Sequence, residues 1–310
     1  MKNYLKKIIK FLLPGFILRF ITTRPFPTIV DGKTGRTSLW IWKMMIEGDH
    51  HRGDCDKYMI KKYGHIVDKG LQNRDRTKGK GSDNIKKLRE YLSKSNELEP
   101  NVKNWASNIY DDYHSFQKGV DISKKYDPEF VSTNFNSQNL SELIKTRRSV
   151  RYFKKQSIDE SILKEIFDVV NWAPNSCNRQ AIKLFVKSNS SEEIKELMKL
   201  NNGATCMNVP PVFVSICFDT KGLVLPIERE VAYIDSGLGL QNLILMAHSK
   251  GIATCVLNWT HAKQSQEDSL RKKLNIDKYH LIIANMVMGY PSKGSPIPTR
   301  SNLKDFVIWR

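Results

Sequence analysis

The sequence predicts an α+β fold: a body in which helices and strands alternate over residues 136–310, preceded by a mostly helical extension over residues 1–135. Two observations carry this. After residue 140, apolar residues fall alternately at helical spacing and in short β-branched or aromatic runs, so sheet and helix layers share one core. Before that, the stretch DPEFVSTNFNSQN (127–139) combines Pro128 with repeated Asn and Ser and reads as a linker.

The chain begins MKNYLKKIIKFLLPGFILRFITTRPFP, a basic start with an apolar patch. Pro14, Gly15 and Arg19 break the patch, so it is too short to span a bilayer, and no clear cleavage site for a secretory leader follows. Two readings stay open. Residues 1–25 lie on an anionic membrane surface, with Lys6, Lys7 and Lys10 at the headgroups and Ile8, Ile9, Phe11 and Leu12 buried, or they dock as a terminal helix on the protein. SLWIWKMMI (38–46), KYMIKKYGHIV (57–67) and NIKKLREYLSK (84–94) have near-helical apolar spacing, the last with Leu88, Tyr91 and Leu92 on one side. RDRTKGKGSDN (74–84) is a polar loop. His50, His51, Asp54, Cys55, Asp56 and His65 match no standard ligand spacing; a hydrophilic turn accounts for them, and no metal site is assigned.

Beyond the linker, helices are expected at 141–147 and 158–171. The second carries a capping box of Ser157 and Glu160 and stops at Pro174. Strands follow at 182–187, 211–218, 253–258 and 280–290, with helices at 190–200, 228–249 and 266–274. The 228–249 helix is apolar on most faces, which predicts burial, and the helices at 141–147, 158–171 and 228–249 would cover the sheet.

Composition narrows function only broadly. The chain has 310 residues, 40% hydrophobic, enough for a sizeable core. Its net charge of +18 divides into +10 for residues 1–135 and +8 for 136–310, so no single tail holds it. Such a charge suits polyanions or anionic surfaces. No helix-turn-helix, zinc-finger spacing or aromatic RNA-binding signature is present, and no nucleic-acid partner is expected. Five cysteines at irregular spacing, with no CxxC, read as reduced thiols in the cytoplasm.

Four motifs concentrate chemistry. TRRSVRYF (146–153) holds Arg147, Arg148 and Arg151 around Ser149. Guanidinium groups this close repel one another unless an anion sits among them, and their forks match phosphate oxygens in pairs. NWAPNSCNRQA (171–181) places Asn175, Ser176, Asn178 and Gln180 in a loop, where amides can meet a heterocycle edge or simply make a turn. GIATCVLNW (251–259) follows the long helix, and GYPSKGSPIPTR (289–300) puts Arg300 beyond a strand and a proline-rich turn. The Asp235 carboxylate, inside the long helix, reads as a cap or partner and not as a general acid.

In this order and separation, the motifs resemble those of the FMN-dependent nitroreductase family. The matching segments are Arg147–Arg151, Ala173–Gln180, Asp235–Asn242, Gly251–Cys255 and Gly289–Pro291 through Arg300. The resemblance spans residues 140–300 and implies a three-layer α/β/α sandwich with a mixed, mainly antiparallel central sheet. It implies that Arg147, Arg148 and Ser149, with Arg300, hold the FMN phosphate. Arg151 then faces N1 and O2 of the flavin, where a cation stabilises the negative charge of reduction. Asn178 and Gln180 would bond the ring edge, and the backbone at Leu257 and Asn258 would approach N5. Asn258 and Trp259 stand where many members have glycine, which suggests that Trp259 covers the substrate side.

The function implied is an FMN oxidoreductase passing two electrons from NAD(P)H through N5 to an organic acceptor, nitroaromatic, quinone-like or another metabolite, in a ping-pong cycle. The flavin carries the chemistry, so no catalytic side chain is assigned. A homodimer acting on a small molecule in the cytoplasm is expected, with peripheral contact at the inner membrane surface through residues 1–25 left open. The competing readings are a flavoprotein serving a membrane-associated cell-surface polysaccharide pathway, and a non-enzymatic basic adaptor for membrane or nucleic acid.

Overall fold

The computed structural model describes residues 52–95, 98–129, 135–204, 207–223, 228–259 and 262–310. The membrane-surface reading of residues 1–25, the apolar run at 38–46 and the His50–His51 pair lie outside them.

The described part of the extension is helical. Helices α1 (Arg52–Leu71), α2 (Ser82–Lys94), α3 (Pro100–Gln117) and the short α4 (Ser123–Tyr126) pack Ile60, Val67, Leu71, Leu88, Ile109 and Tyr126 into one apolar cluster. Pro100 occupies the first turn of α3, where its missing N–H costs nothing. Gly64 lets α1 and α3 approach, because a Cβ there would sit 2.7 Å from the Trp105 ring. The near-helical spacing read at 57–67 falls within α1, whereas Asp54, Cys55, Asp56 and His65, read as belonging to a hydrophilic turn, lie on the same helix, with Asp56 buried. Among the described residues, no group of three or more His, Cys, Asp or Glu side chains is arranged to hold a metal.

After the linker come α5 (Ser137–Thr146) and α6 (Glu160–Asp168). The expected capping box does not form: α6 begins after Asp159, and its end tightens into a 3₁₀ turn at Val169–Trp172. The sheet is built from β1 (Ile182–Ser188), β2 (Val212–Asp219), β3 (Ala253–Leu257) and β4 (His280–Gly289). Its order is β1-β2-β4-β3, and every pair is antiparallel. The mixed character that was expected reduces, among the described residues, to one parallel bridge between Ser149 and Thr254.

The burial of β2 shows how the layers form. All eight of its residues are buried. Phe213 and Cys217 cluster with Ile194 and Leu197 of α7 (Ser191–Lys199) and Leu270 of α9 (Gln264–Leu274). Val212, Val214 and Ile216 cluster with Leu163 and Ile166 of α6 and Leu243 and Ala247 of α8 (Arg229–Ser249). Successive side chains point to opposite faces, so one strand feeds both cores and the body is three-layered. Each fully buried Phe or Ile here contributes about 1.5–3 kcal/mol.

Helix α1 also reaches the body. Tyr58 is 1% exposed, and its hydroxyl donates to Asp219 Oδ2 at 2.6 Å, beside the 3₁₀ turn Thr220–Gly222. A Cβ at Gly222 would fall 2.7 Å from Ala181 Cβ, with the Tyr58 ring behind it at 3.7 Å. Replacing Tyr58 with phenylalanine is expected to lower stability by about 1.5–3 kcal/mol, since it strips one donor from a buried carboxylate. Denaturant unfolding of both proteins checks this; a change below ~0.5 kcal/mol would mean that water replaces the donor.

Candidate functional site

The arginine cluster begins where α5 ends. Asn136 caps that helix by accepting from the Gln138 amide at 2.8 Å, and Arg147 leaves it with extended backbone (φ −57°, ψ 135°). Arg148 folds back, and its Nη1 donates to the carbonyls of Lys145 and Arg147, a cation placed on the negative end of the helix. The chain then runs along the sheet edge. Val150 N donates to Thr254 O at 3.1 Å and Lys154 N to Tyr290 O at 2.8 Å. Val150 and Phe153 turn into the core while Arg151 and Tyr152 stay exposed.

This edge borders a cavity of about 520 Å³. Arg147 and Arg148 line it together with His248, Gly251–Thr254 and the turn Pro291–Ser295. Ser295 fixes that turn by donating to the Ser149 carbonyl at 3.0 Å. Lys293 adds a third cation, its Nζ 3.8 Å from the centroid of the Tyr152 ring. None of the described lining residues is acidic. His248, at the end of α8, feels this field: burial, then Arg147 and Arg148, push its imidazole below the usual histidine range. Such a donor set fits a phosphate monoester, which would relieve the mutual repulsion of the cations.

The amide loop is built separately. Cys177, Asn178 and Gln180 all have positive φ (54°, 53° and 54°), a conformation that asparagine tolerates better than other non-glycine residues. Arg179 holds them there. Its side chain is fully buried and donates to Ser176 O, Ser176 Oγ and Gly222 O at 2.7–2.9 Å, and it pairs with Glu228 at 2.8 Å. Asp235 receives the Ser176 amide at 3.0 Å, the capping role read from the sequence, and burial raises its pKa. Asn178 Oδ1 accepts from Gln180 Nε2 at 2.8 Å, so the two amides form a pair. Nothing in the sequence singled out Arg179.

The structure thus brings Arg147 and Arg148 into the cavity, with Ser149 on its rim through Thr254 and Ser295. Arg151, Asn178, Gln180, Leu257, Asn258 and Arg300 are not among the lining residues. Arg300 is exposed and donates to its neighbouring Thr299 carbonyl. Leu257 is buried at the end of β3, and Asn258 pairs through its backbone with Asn202. Trp259, expected over a substrate, packs instead into the core beneath α7 and α9, because its indole buries best among Ile194, Leu197 and Leu270. The cavity also recruits Lys293, Ser295 and His248, which the sequence did not flag as site residues. Cys217 is inert, its thiol pushed up to about 12 by burial.

Residues 144–205 and 211–290 match the model of the Nitroreductase family. This part of the chain is a nitroreductase-family domain. The match includes the arginine segment, the amide loop, α8 and all four strands. Among relatives of the nitroreductase domain, a Bacillus subtilis protein named FMN reductase [NAD(P)H] is 24% identical over 174 residues, 50% of this chain and 68% of the relative. Solved structures similar to it include a nitroreductase with bound FMN from Desulfitobacterium hafniense (20% identity, 57% of this chain, 100% of that one, TM-score 0.46). An FMN-dependent nitroreductase from Clostridium difficile is 18% identical, covering 55% and 98% of the two chains, with a TM-score of 0.48.

Proposed function

We propose that residues 136–310 bind FMN and act as an NAD(P)H-dependent oxidoreductase, with residues 1–135 as a helical extension outside that domain. The observation that carries this is the acid-free cationic cavity at the arginine segment of a nitroreductase-family domain. Arg147, Arg148 and Lys293 would hold the phosphate, with Ser149 and Ser295 fixing the backbone around it. FMN, when bound, accepts hydride from NAD(P)H and delivers two electrons to an organic acceptor. Arg151 on the exposed face of the same segment, and the amides of Asn178 and Gln180, are the groups proposed for the ring edge, with Leu257 and Asn258 beyond them. Arg300 is proposed to reach the phosphate from the chain's last segment. A ping-pong order, with NAD(P)H leaving before the acceptor enters, is part of the same proposal.

The working unit is proposed to be a homodimer. Ile234 and Leu238, one turn apart on α8, are 59% and 43% exposed, an apolar strip consistent with a second chain. Among the described residues, no helix is long and apolar enough to cross a membrane.

The test is the visible spectrum of the purified protein, with the released chromophore identified by mass. About one FMN per chain, bleached anaerobically by NADH or NADPH, is the expected result. A colourless protein that takes up no added FMN would overturn the reading.

A further inference from the structure

The cavity holds one titratable group that the proposed phosphate contacts leave unused, His248. It lines the cavity with Arg147 and Arg148, from the last turn of α8. Its Nε2 lies 3.0 Å from Thr146 Oγ1. Thr146 Oγ1 also lies 2.7 Å from the Glu142 carbonyl, to which it donates, so a hydrogen on Nε2 is the tautomer in which every partner is used. Nδ1 is then the nitrogen that gains or loses a proton.

Resting on the FMN reading above, we propose that His248 is a proton-gated phosphate contact: as imidazolium it adds a charged donor to the cavity, and as neutral imidazole it presents a lone pair instead. The ligand class is a phosphate monoester. The surrounding charges set the direction. Burial first, then the charges of Arg147 and Arg148, hold the imidazole below the usual histidine range and so favour its neutral form. Lys293 lines the cavity from the turn Pro291–Ser295, and α5 carries Lys145 next to Thr146 and Glu142 one turn before it. Just past the end of α8, Lys250 pairs with Glu165 of α6. An entering phosphate dianion outweighs the arginines locally and raises the affinity of His248 for its proton. By linkage, phosphate binding then takes up a proton, and affinity rises as pH falls through the histidine range.

The phosphate itself titrates near pH 6, so the comparison must be with a variant and not with pH alone. The experiment measures FMN, riboflavin and inorganic phosphate binding to the full chain and to His248→Gln from pH 5.5 to 8.5. Wild type is expected to bind FMN about five- to tenfold tighter than the variant at pH 5.5–6, with the ratio closing towards one at pH 8.5. Inorganic phosphate should follow FMN, and riboflavin, lacking the phosphate, should show no difference. Nuclear magnetic resonance of the His248 ring nitrogens gives a second reading that needs no variant: the pKa should rise when FMN binds. A pH-independent ratio with an unmoved ring pKa would overturn the role of His248 while leaving FMN binding intact. Failure of wild type to bind FMN at any pH would instead overturn the flavin reading.

Discussion

Replacing Arg147 with alanine is expected to weaken FMN binding by roughly ten- to a hundredfold. The substitution removes a charge-assisted contact of about 1.5–3 kcal/mol from a cavity without acidic lining residues. Riboflavin affinity should barely change, because the loss falls on the phosphate alone. Lysine at the same position should restore only part of the loss, since it keeps the charge but not the two-pronged geometry. Flavin fluorescence titrations at fixed salt read both quantities. Equal FMN affinity in wild type and Arg147→Ala would place the phosphate elsewhere, and the anion facing these guanidinium groups would have to be sought again.

The largest loss of stability is expected at Arg179. Its guanidinium has no solvent exposure, and every contact it makes is internal: two carbonyls, the Ser176 hydroxyl and the Glu228 carboxylate. Alanine there removes those donors together from two carbonyls, a hydroxyl and the Glu228 carboxylate, which costs about 3–5 kcal/mol. Methionine, close in volume, should lose less than alanine, because it fills the space though it satisfies none of the acceptors. Denaturant midpoints of the three proteins check the order. A loss below ~1 kcal/mol for Arg179→Ala would show that water enters and replaces the guanidinium.

Much of the body was legible because its signals are local. β2 is rich in β-branched and aromatic residues, and its complete burial follows from being covered on both faces. The long helix expected at 228–249 forms at Arg229–Ser249, but the burial predicted for it fails at Tyr233, Ile234 and Leu238, which are exposed because its apolar residues point in nearly every direction and the sheet covers only one side. Where a single cue stood alone, context overrode it. Ser157 and Glu160 have the spacing of a capping box, yet the chain stays extended through Asp159. α3 was not expected, because Ala106, Ile109 and Tyr113 are sparse among polar neighbours and gain meaning only against α1 and α2.

The site was legible to the extent that it lies in one segment. Arg147 and Arg148 are adjacent in sequence and remain adjacent around the cavity. His248 and Lys293 join them from about one hundred and one hundred and fifty residues away, a proximity created by the bridges Ser149–Thr254 and Phe153–Pro291 together with the antiparallel pairing of β3 with β4. Arg179 was overlooked for a different reason. An arginine in a polar loop reads as solvated, and nothing in its neighbours announces that Glu228, almost fifty residues on, will bury it.

The contact of Tyr58 with Asp219 and Gly222 has a consequence for how the two regions can be regulated. Gly222 also receives Arg179, the anchor of the amide loop, so helix α1 and that loop share a common support. Free energy transmitted through such a support runs both ways. A partner that draws α1 away must disturb the footing of the loop, and a ligand that stiffens the loop must hold α1 more firmly in place. The extension is in that sense a handle on the domain.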